Sequence, residues 1–232
     1  MYTHSHHHDE KHLQSSDFIR DIVIGMSDGL TVPFALAAGL SGVVTGSSII
    51  VIAGIAEIAA GSIAMGLGGY LAGKTEQDHY KSELKREYDE VERVPDIEKQ
   101  EVKEFFKQMG LSKDIQEKAT EEIAKDKKNW VDFMMKYELG LDEPDPKRAT
   151  KSALNIGVSY VAGGIIPLSP YFFIEDSAEA LKISVIATLI CLFVFGYFKS
   201  KITGVNALGG AAKVTMIGAV AAAAAFGVAK LF

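Results

Sequence analysis

The chain reads as an all-α membrane protein: five transmembrane helices, with a three-helix cytosolic insertion between helices two and three. Three features of the sequence predict this. Residues 22–73 carry only two charges, Asp28 and Glu57, in a stretch otherwise apolar or small. That is long enough for two passes through a ~30 Å hydrocarbon core at about 20 residues each. Residues 74–151 are the opposite, holding 21 of the chain's 30 acids and 17 of its 24 bases. Beyond them the chain returns to apolar runs. The composition, 48% hydrophobic and 23% charged over 232 residues, is therefore an average of two populations, as a membrane protein with one polar insertion should show.

Taken in order, residues 1–17 form a His-rich polar tail, with no apolar segment followed by a small-residue cleavage site. The first span covers residues 18–44 and the second 48–73, joined by an uncharged turn at 45–47. No Gly or Pro interrupts residues 74–94, so the second helix is expected to continue unbroken to Pro95. A helix over 96–109 should stop at Gly110, a C′ residue. A long third one, capped by Ser112, should end before Gly140. The run Asp142-Glu143-Pro144-Asp145-Pro146 is then a stiff, non-helical link that closes the insertion, residues 74–151. The final segment, 152–232, holds spans three to five. Residues 152–174 form a clear span without a charge. Residues 183–198 and 214–229 are shorter, and the stems of Lys182, Lys199, Lys213 and Lys230 extend them by snorkelling. The last, rich in Ala and Gly, needs close helix packing to be held.

Basic residues in short loops set orientation. Lys199, Lys201 and Lys213 lie between spans four and five, whereas Glu175, Asp176 and Glu179 lie between three and four. The N-terminus and the charged insertion are therefore expected in the cytosol, with the C-terminus across the membrane. A net charge of −6 without a basic stripe argues against nucleic-acid binding. There is no phosphate-binding loop, dinucleotide fingerprint or nucleophile elbow, so nothing points to an enzyme. The lone Cys191 reads as a small core residue.

The two membrane acids carry the chemistry. A carboxylate at bilayer depth costs roughly 2.5–3.5 kcal/mol and is normally kept for an ion or proton path. Counting at 1.5 Å per residue from the 45–47 turn, Asp28 and Met65 stand at about the same level, with Glu57 roughly 12 Å further toward the far side. A carboxylate facing a thioether suits a borderline transition metal better than a hard ion. Pro33 adds a third candidate oxygen by freeing the carbonyl of Gly29. Desolvated acids can hold either a proton or a metal, the minimal machinery of exchange.

In the insertion, Glu87 and Glu90 share one helix face and Glu98 and Glu101 another. A fold at Pro95 would let the two pairs converge. Met134, Met135 and Glu138 would add thioethers and a further carboxylate. The competing reading is a solvated Glu/Lys surface. Glu76 and His79 have the spacing of a di-iron helix motif, but the second such motif is missing. Asp17 and Asp21, at the start of the first helix, either attract cations or stabilise the helix N-terminus. His4, His6, His7 and His8 either bind metal or form an unstructured tail.

The stretches Ser27-Asp-Gly-Leu-Thr-Val-Pro-Phe-Ala-Leu36 and Ala56-Glu-Ile-Ala-Ala-Gly-Ser-Ile-Ala-Met-Gly-Leu-Gly-Gly-Tyr-Leu71 resemble the vacuolar iron transporter family. So do Asp78-His-Tyr80 and Gly163-Gly-Ile-Ile-Pro-Leu168. The resemblance implies a multi-pass protein of the vacuolar membrane, a homodimer of five-helix protomers with the path between them. It implies import of ferrous iron, often with manganese, in exchange for protons, with Zn²⁺ or Co²⁺ as further bound ions and no prosthetic group. By position, Asp28, Glu57 and Met65 match the family's membrane metal site. Glu87, Glu90, Glu98, Glu101, Met134, Met135 and Glu138 match its cytosolic metal-binding domain, and Asp17 and Asp21 its entrance. Two other functions compete: a membrane-anchored metal buffer or sensor, and a passive divalent-cation channel.

Overall fold

The computed structural model describes residues 16–231, so His4, His6, His7 and His8 lie outside the described residues. The chain divides into two compact units. Residues 16–70 and 150–231 form the first, and Leu71–Ala149 the second.

Among the described residues five helices are long and apolar enough to cross a membrane: α1 (Ser16–Ser41), α2 (Ser47–Arg93), α6 (Arg148–Leu168), α7 (Ser177–Ile202) and α8 (Ala207–Ala229). As the absence of breakers implied, α2 is one uninterrupted helix of 47 residues, and Pro95 opens the next. Helices α7 and α8 extend well beyond the uncharged cores expected for spans four and five. Asp176 and Asn206 cap them by accepting from the backbone N–H groups of Glu179 and Gly209.

Apolar residues such as Ile49, Ile52, Ile63, Leu67, Ile183 and Ile186 face outward, as expected of surfaces that meet lipid or another protein. Inside, small residues decide the packing, because lipid supplies no hydrophobic drive between helices and close backbone approach must replace it. Helix α6 takes α1 on one side and α2 on the other. A Cβ on Gly29 of α1 would strike the carbonyl oxygen of Tyr160, with the Tyr160 carbonyl carbon 2.9 Å away. One on Gly163 of α6 would lie 2.9 Å from the Leu30 nitrogen. On the other side, Gly54 faces Leu168 and Gly61 faces Tyr160. Pro167, inside α6, leaves its turn without a donor, and the Ser184 hydroxyl of α7 donates to the Pro167 carbonyl at 2.7 Å. At one end of the bundle the α1–α2 turn and the α6–α7 turn are tied together: Ser47 N–H donates to Glu175 O and Ser177 N–H to Thr45 O, both at 3.0 Å. The two loops expected on the same side of the membrane thus meet.

The second unit contains the outer part of α2, then α3 (Pro95–Gln108), α4 (Lys113–Ile123), α5 (Lys127–Phe133) and a π-helical turn, Met134–Glu138. Gly110 follows α3 at φ 81°, the left-handed geometry expected of its C′ position. The long third helix expected over 112–139 is corrected: it is two helices and a π-turn. Asp126, extended in backbone, accepts from Asn129 N–H and starts a new helix, so an N-cap within a breaker-free sequence divides it. Val91, Val102, Trp130, Val131, Met134 and Met135 form the core.

If backbone contact between α1 and α6 holds the bundle, Gly29→Ala should cost about 1–3 kcal/mol through overpacking. Gly68→Ala, where nothing lies within 4 Å, should be neutral. Melting in detergent checks this: a lower midpoint for Gly29→Ala alone is expected, and equal midpoints would contradict the packing account.

Candidate metal-handling site

In the first unit, three helices contribute to one polar spot. Tyr160 of α6, 2% exposed, donates its hydroxyl to Oε1 of Glu57 on α2. The second Glu57 oxygen, Oε2, is buried with no hydrogen-bond partner. Asp28 of α1, half-buried, is close enough for its charge to act on the Tyr160 hydroxyl. Gly61, one turn beyond Glu57, leaves the space the phenol occupies, since a Cβ there would run into the ring and hydroxyl. Gly29, next to Asp28, lies against the Tyr160 backbone. The two glycine contacts therefore fix the phenol between the acid-bearing helices. Pro33 sits inside α1, leaving the Gly29 carbonyl without its helical donor. Met65 is half-buried on α2, two turns from Glu57.

Asp28 and Glu57 stand out in sequence as charges in apolar surroundings; Tyr160 does not. The signal available was a phenol inside an apolar span, which requires a partner when buried, opposite two acids that also lacked one. Asp17 lies in the first turn of α1. Asp21 is 1% exposed and accepts from Ser152 Oγ at 3.0 Å and Asn155 Nδ2 at 3.4 Å, so it contributes to the α1–α6 contact.

In the second unit, the fold-back at Pro95 does bring the glutamate pairs into each other's field. Glu87 and Glu98 are 2% and 4% exposed. Burial first, then Glu101, Glu87, Glu90 and Glu138, pushes the Glu98 carboxyl up to about 7. Glu138 keeps more solvent contact. Partial burial, with Glu101, Glu87 and Glu90, pushes it up to about 7 while Arg86 pulls it down. Oε2 of Glu87 is buried and has no hydrogen-bond partner. A cavity of about 240 Å³ is lined by Glu101, Glu104, Glu138, Met134, Phe105 and Tyr137 among others. Met134 and Met135 are 1% and 2% exposed in the core, so only Met134 combines packing with a cavity face. The π-turn carries Met134, Met135 and Glu138, and such turns recur at functional sites.

The acids are electrical neighbours rather than a closed ligand shell. Among the described residues no group of three or more His, Cys, Asp or Glu side chains is set to hold a metal ion. His79 pairs instead with Glu83 at 3.8 Å. The arrangement can attract a cation and gather around it, which requires deprotonated carboxylates.

Known proteins resemble this chain closely. It is 52% identical over 223 residues to vacuolar iron transporter 1 of Tulipa gesneriana, covering 96% of this chain and 90% of the relative. It is 52% identical over 225 residues to vacuolar iron transporter 1 of Arabidopsis thaliana, covering 97% and 90%. Protein CCC1 of Saccharomyces cerevisiae is 38% identical over 223 residues, covering 92% of this chain and 68% of that protein. The sequence pattern of the VIT family matches residues 19–230, which include both acid sites, and the chain belongs to that family.

Proposed function

We propose that the protein moves ferrous iron from the cytosol into the vacuole in exchange for protons, with manganese as a second cargo, and works as a homodimer. The observation that carries the reading is the half-buried Glu57 carboxylate, held through one oxygen by Tyr160 while the other oxygen is buried and unpartnered. No Lys or Arg occurs between residues 22 and 73 to neutralise it or Asp28. A carboxylate so placed is stable when it holds a proton or a cation, and alternation between the two is exchange. The names of the relatives supply the cargo and the membrane.

Tyr160 keeps Glu57 oriented, so the acid presents the same oxygen to each arriving ion. Asp28 supplies the second negative charge for a divalent ion, and the Met65 thioether favours a softer ion such as Fe²⁺ over a hard one. A lumen two pH units more acidic provides about 2.7 kcal/mol per proton released, a hundredfold metal gradient per proton exchanged. In the charged unit, Glu87, Glu90, Glu98, Glu101 and Glu138 collect metal. A buffer or sensor would need those acids but not the membrane pair, and a passive channel would ignore a pH gradient.

Uptake of Fe²⁺ into proteoliposomes with an acidic interior separates these readings. Wild-type uptake should rise when the gradient is imposed. Asp28→Asn, which keeps the shape but cannot trade a proton for a metal, should lower it about tenfold or more. Gradient-independent uptake would favour a channel, and wild-type rates in Asp28→Asn would remove the acid from the path.

Protons and metal should also compete at the charged unit. Glu98 and Glu138 both sit at about 7, above their unfolded values. Folding is therefore most favoured while they are protonated, and that contribution is lost as pH rises through about 7. Metal needs the charged form, so metal affinity should fall about tenfold or more from pH 8 to pH 6. Without metal the protein should be more stable on the acidic side of that window, and added metal should reverse the order at pH 8. Calorimetry and melting at both pH values check this; a flat metal affinity, or a Glu98→Gln/Glu138→Gln variant with wild-type pH dependence, would contradict it.

A further inference from the structure

The glutamates of the charged unit share a cation of their own. Arg86, on the outer part of α2, places Nη2 at 2.8 Å from Glu83 and 3.7 Å from Glu87, and Nε at 3.4 Å from Glu90. Its charge also reaches Glu138 across the cluster. We propose that Arg86 is the resident counter-ion of this cluster: it holds the acids together without metal, and an arriving divalent cation displaces it. It thereby sets the concentration at which metal is captured and keeps singly charged ions out. The inference rests on the capture role given to these acids above.

Four observations support it. Glu87 is almost wholly buried, yet its Oε2 has no partner, and its approach to Arg86 at 3.7 Å is longer than a charge-assisted hydrogen bond. The guanidinium thus balances charge without using up the ligand oxygens. Its side chain is 51% exposed, so it can leave toward water at small cost, because exposed ion pairs are weak. It cannot be neutralised by losing a proton; when a divalent ion enters it must move or repel that ion. Finally, Glu83, three residues before it, was not among the expected ligands and pairs with it at 2.8 Å. Glu83 offers a place on the same helix face to which the guanidinium can withdraw while releasing Glu87 and Glu90. A singly charged ion brings no more charge than the guanidinium already there and has no advantage in replacing it.

The test is Mn²⁺ calorimetry on the full-length protein in detergent at pH 8. Arg86→Gln should tighten Mn²⁺ binding about three- to tenfold by removing one neighbouring positive charge, whereas Arg86→Lys, which keeps the charge, should stay near wild type. Arg93→Gln, the same charge change further along α2, should move affinity by less than about twofold, since exposed charges are screened within about 10 Å. Glu83→Gln, which removes the berth, should weaken binding about threefold, because the cation then stays in competition. Unchanged or weaker binding by folded Arg86→Gln would overturn the proposal, as would equal tightening in Arg93→Gln or wild-type affinity in Glu83→Gln. Should Arg86→Gln not assemble, the Glu83→Gln result decides. Glu87→Ala/Glu101→Ala separates the two levels. If that variant binds Mn²⁺ as tightly as wild type, the capture role fails and this inference with it. If it loses binding while Arg86→Gln matches wild type, only the counter-ion role of Arg86 fails.

Discussion

Burying a carboxylate among apolar helices without a basic partner is the constraint from which the other features of this protein follow. No Lys or Arg occurs between residues 22 and 73, the stretch that holds Asp28 and Glu57, and a charge so placed is costly unless something shares it. Tyr160 shares part of it through one hydrogen bond to Glu57. That bond needs the phenol at a fixed height, so α6 must approach both α1 and α2 at backbone distance. Gly29 and Gly163 bring α1 and α6 together at backbone distance, Gly66 brings α2 to the Ala153 carbonyl, and Gly61 leaves room for the phenol. What in isolation looks like weak, small-residue packing is thus the means by which the phenol is held against Glu57 and beside the helix that carries Asp28.

The charged unit meets a related problem differently. There the acids are numerous and partly wet, and the balance is struck by burial, mutual repulsion and one guanidinium. Glu98 and Glu138 at about 7 are poised where a small change in pH or in local cation concentration changes their charge. A loose cluster of this kind binds metal less tightly than a closed ligand shell, and release onward is correspondingly easier. A transporter needs capture that is reversible, and under the capture role proposed above a site completed only when metal arrives would provide it.

Much of this was legible in the sequence where a local rule had no competitor. The five apolar runs appeared as five long helices, the breaker-free stretch after residue 73 kept α2 intact, and Gly110 ended α3 as its conformational freedom suggests. The break between α4 and α5 was not legible, because Asp126 acts as a cap only once its backbone is extended, and nothing in an Asp/Lys-rich run marks which Asp will do so. The π-turn at Met134–Glu138 likewise has no sequence signature. The acids were visible as exceptions to their surroundings. Tyr160 and Arg86 were not, since each is ordinary in its own segment and gains its role from a neighbour 103 residues away in one case and from a fold-back at Pro95 in the other. Met134 and Met135 were singled out by type as thioether donors; the structure shows both buried in the core of the charged unit, where they pack.

The central claim is that the membrane acids trade protons for metal. Its most direct test is proton movement caused by metal alone: proteoliposomes carrying an internal pH indicator, with no pH gradient at the start, given external Fe²⁺ under anaerobic conditions. The account predicts that iron entry makes the interior more alkaline as protons leave, and that Asp28→Asn abolishes both fluxes together. Iron entry with no change in internal pH would contradict it.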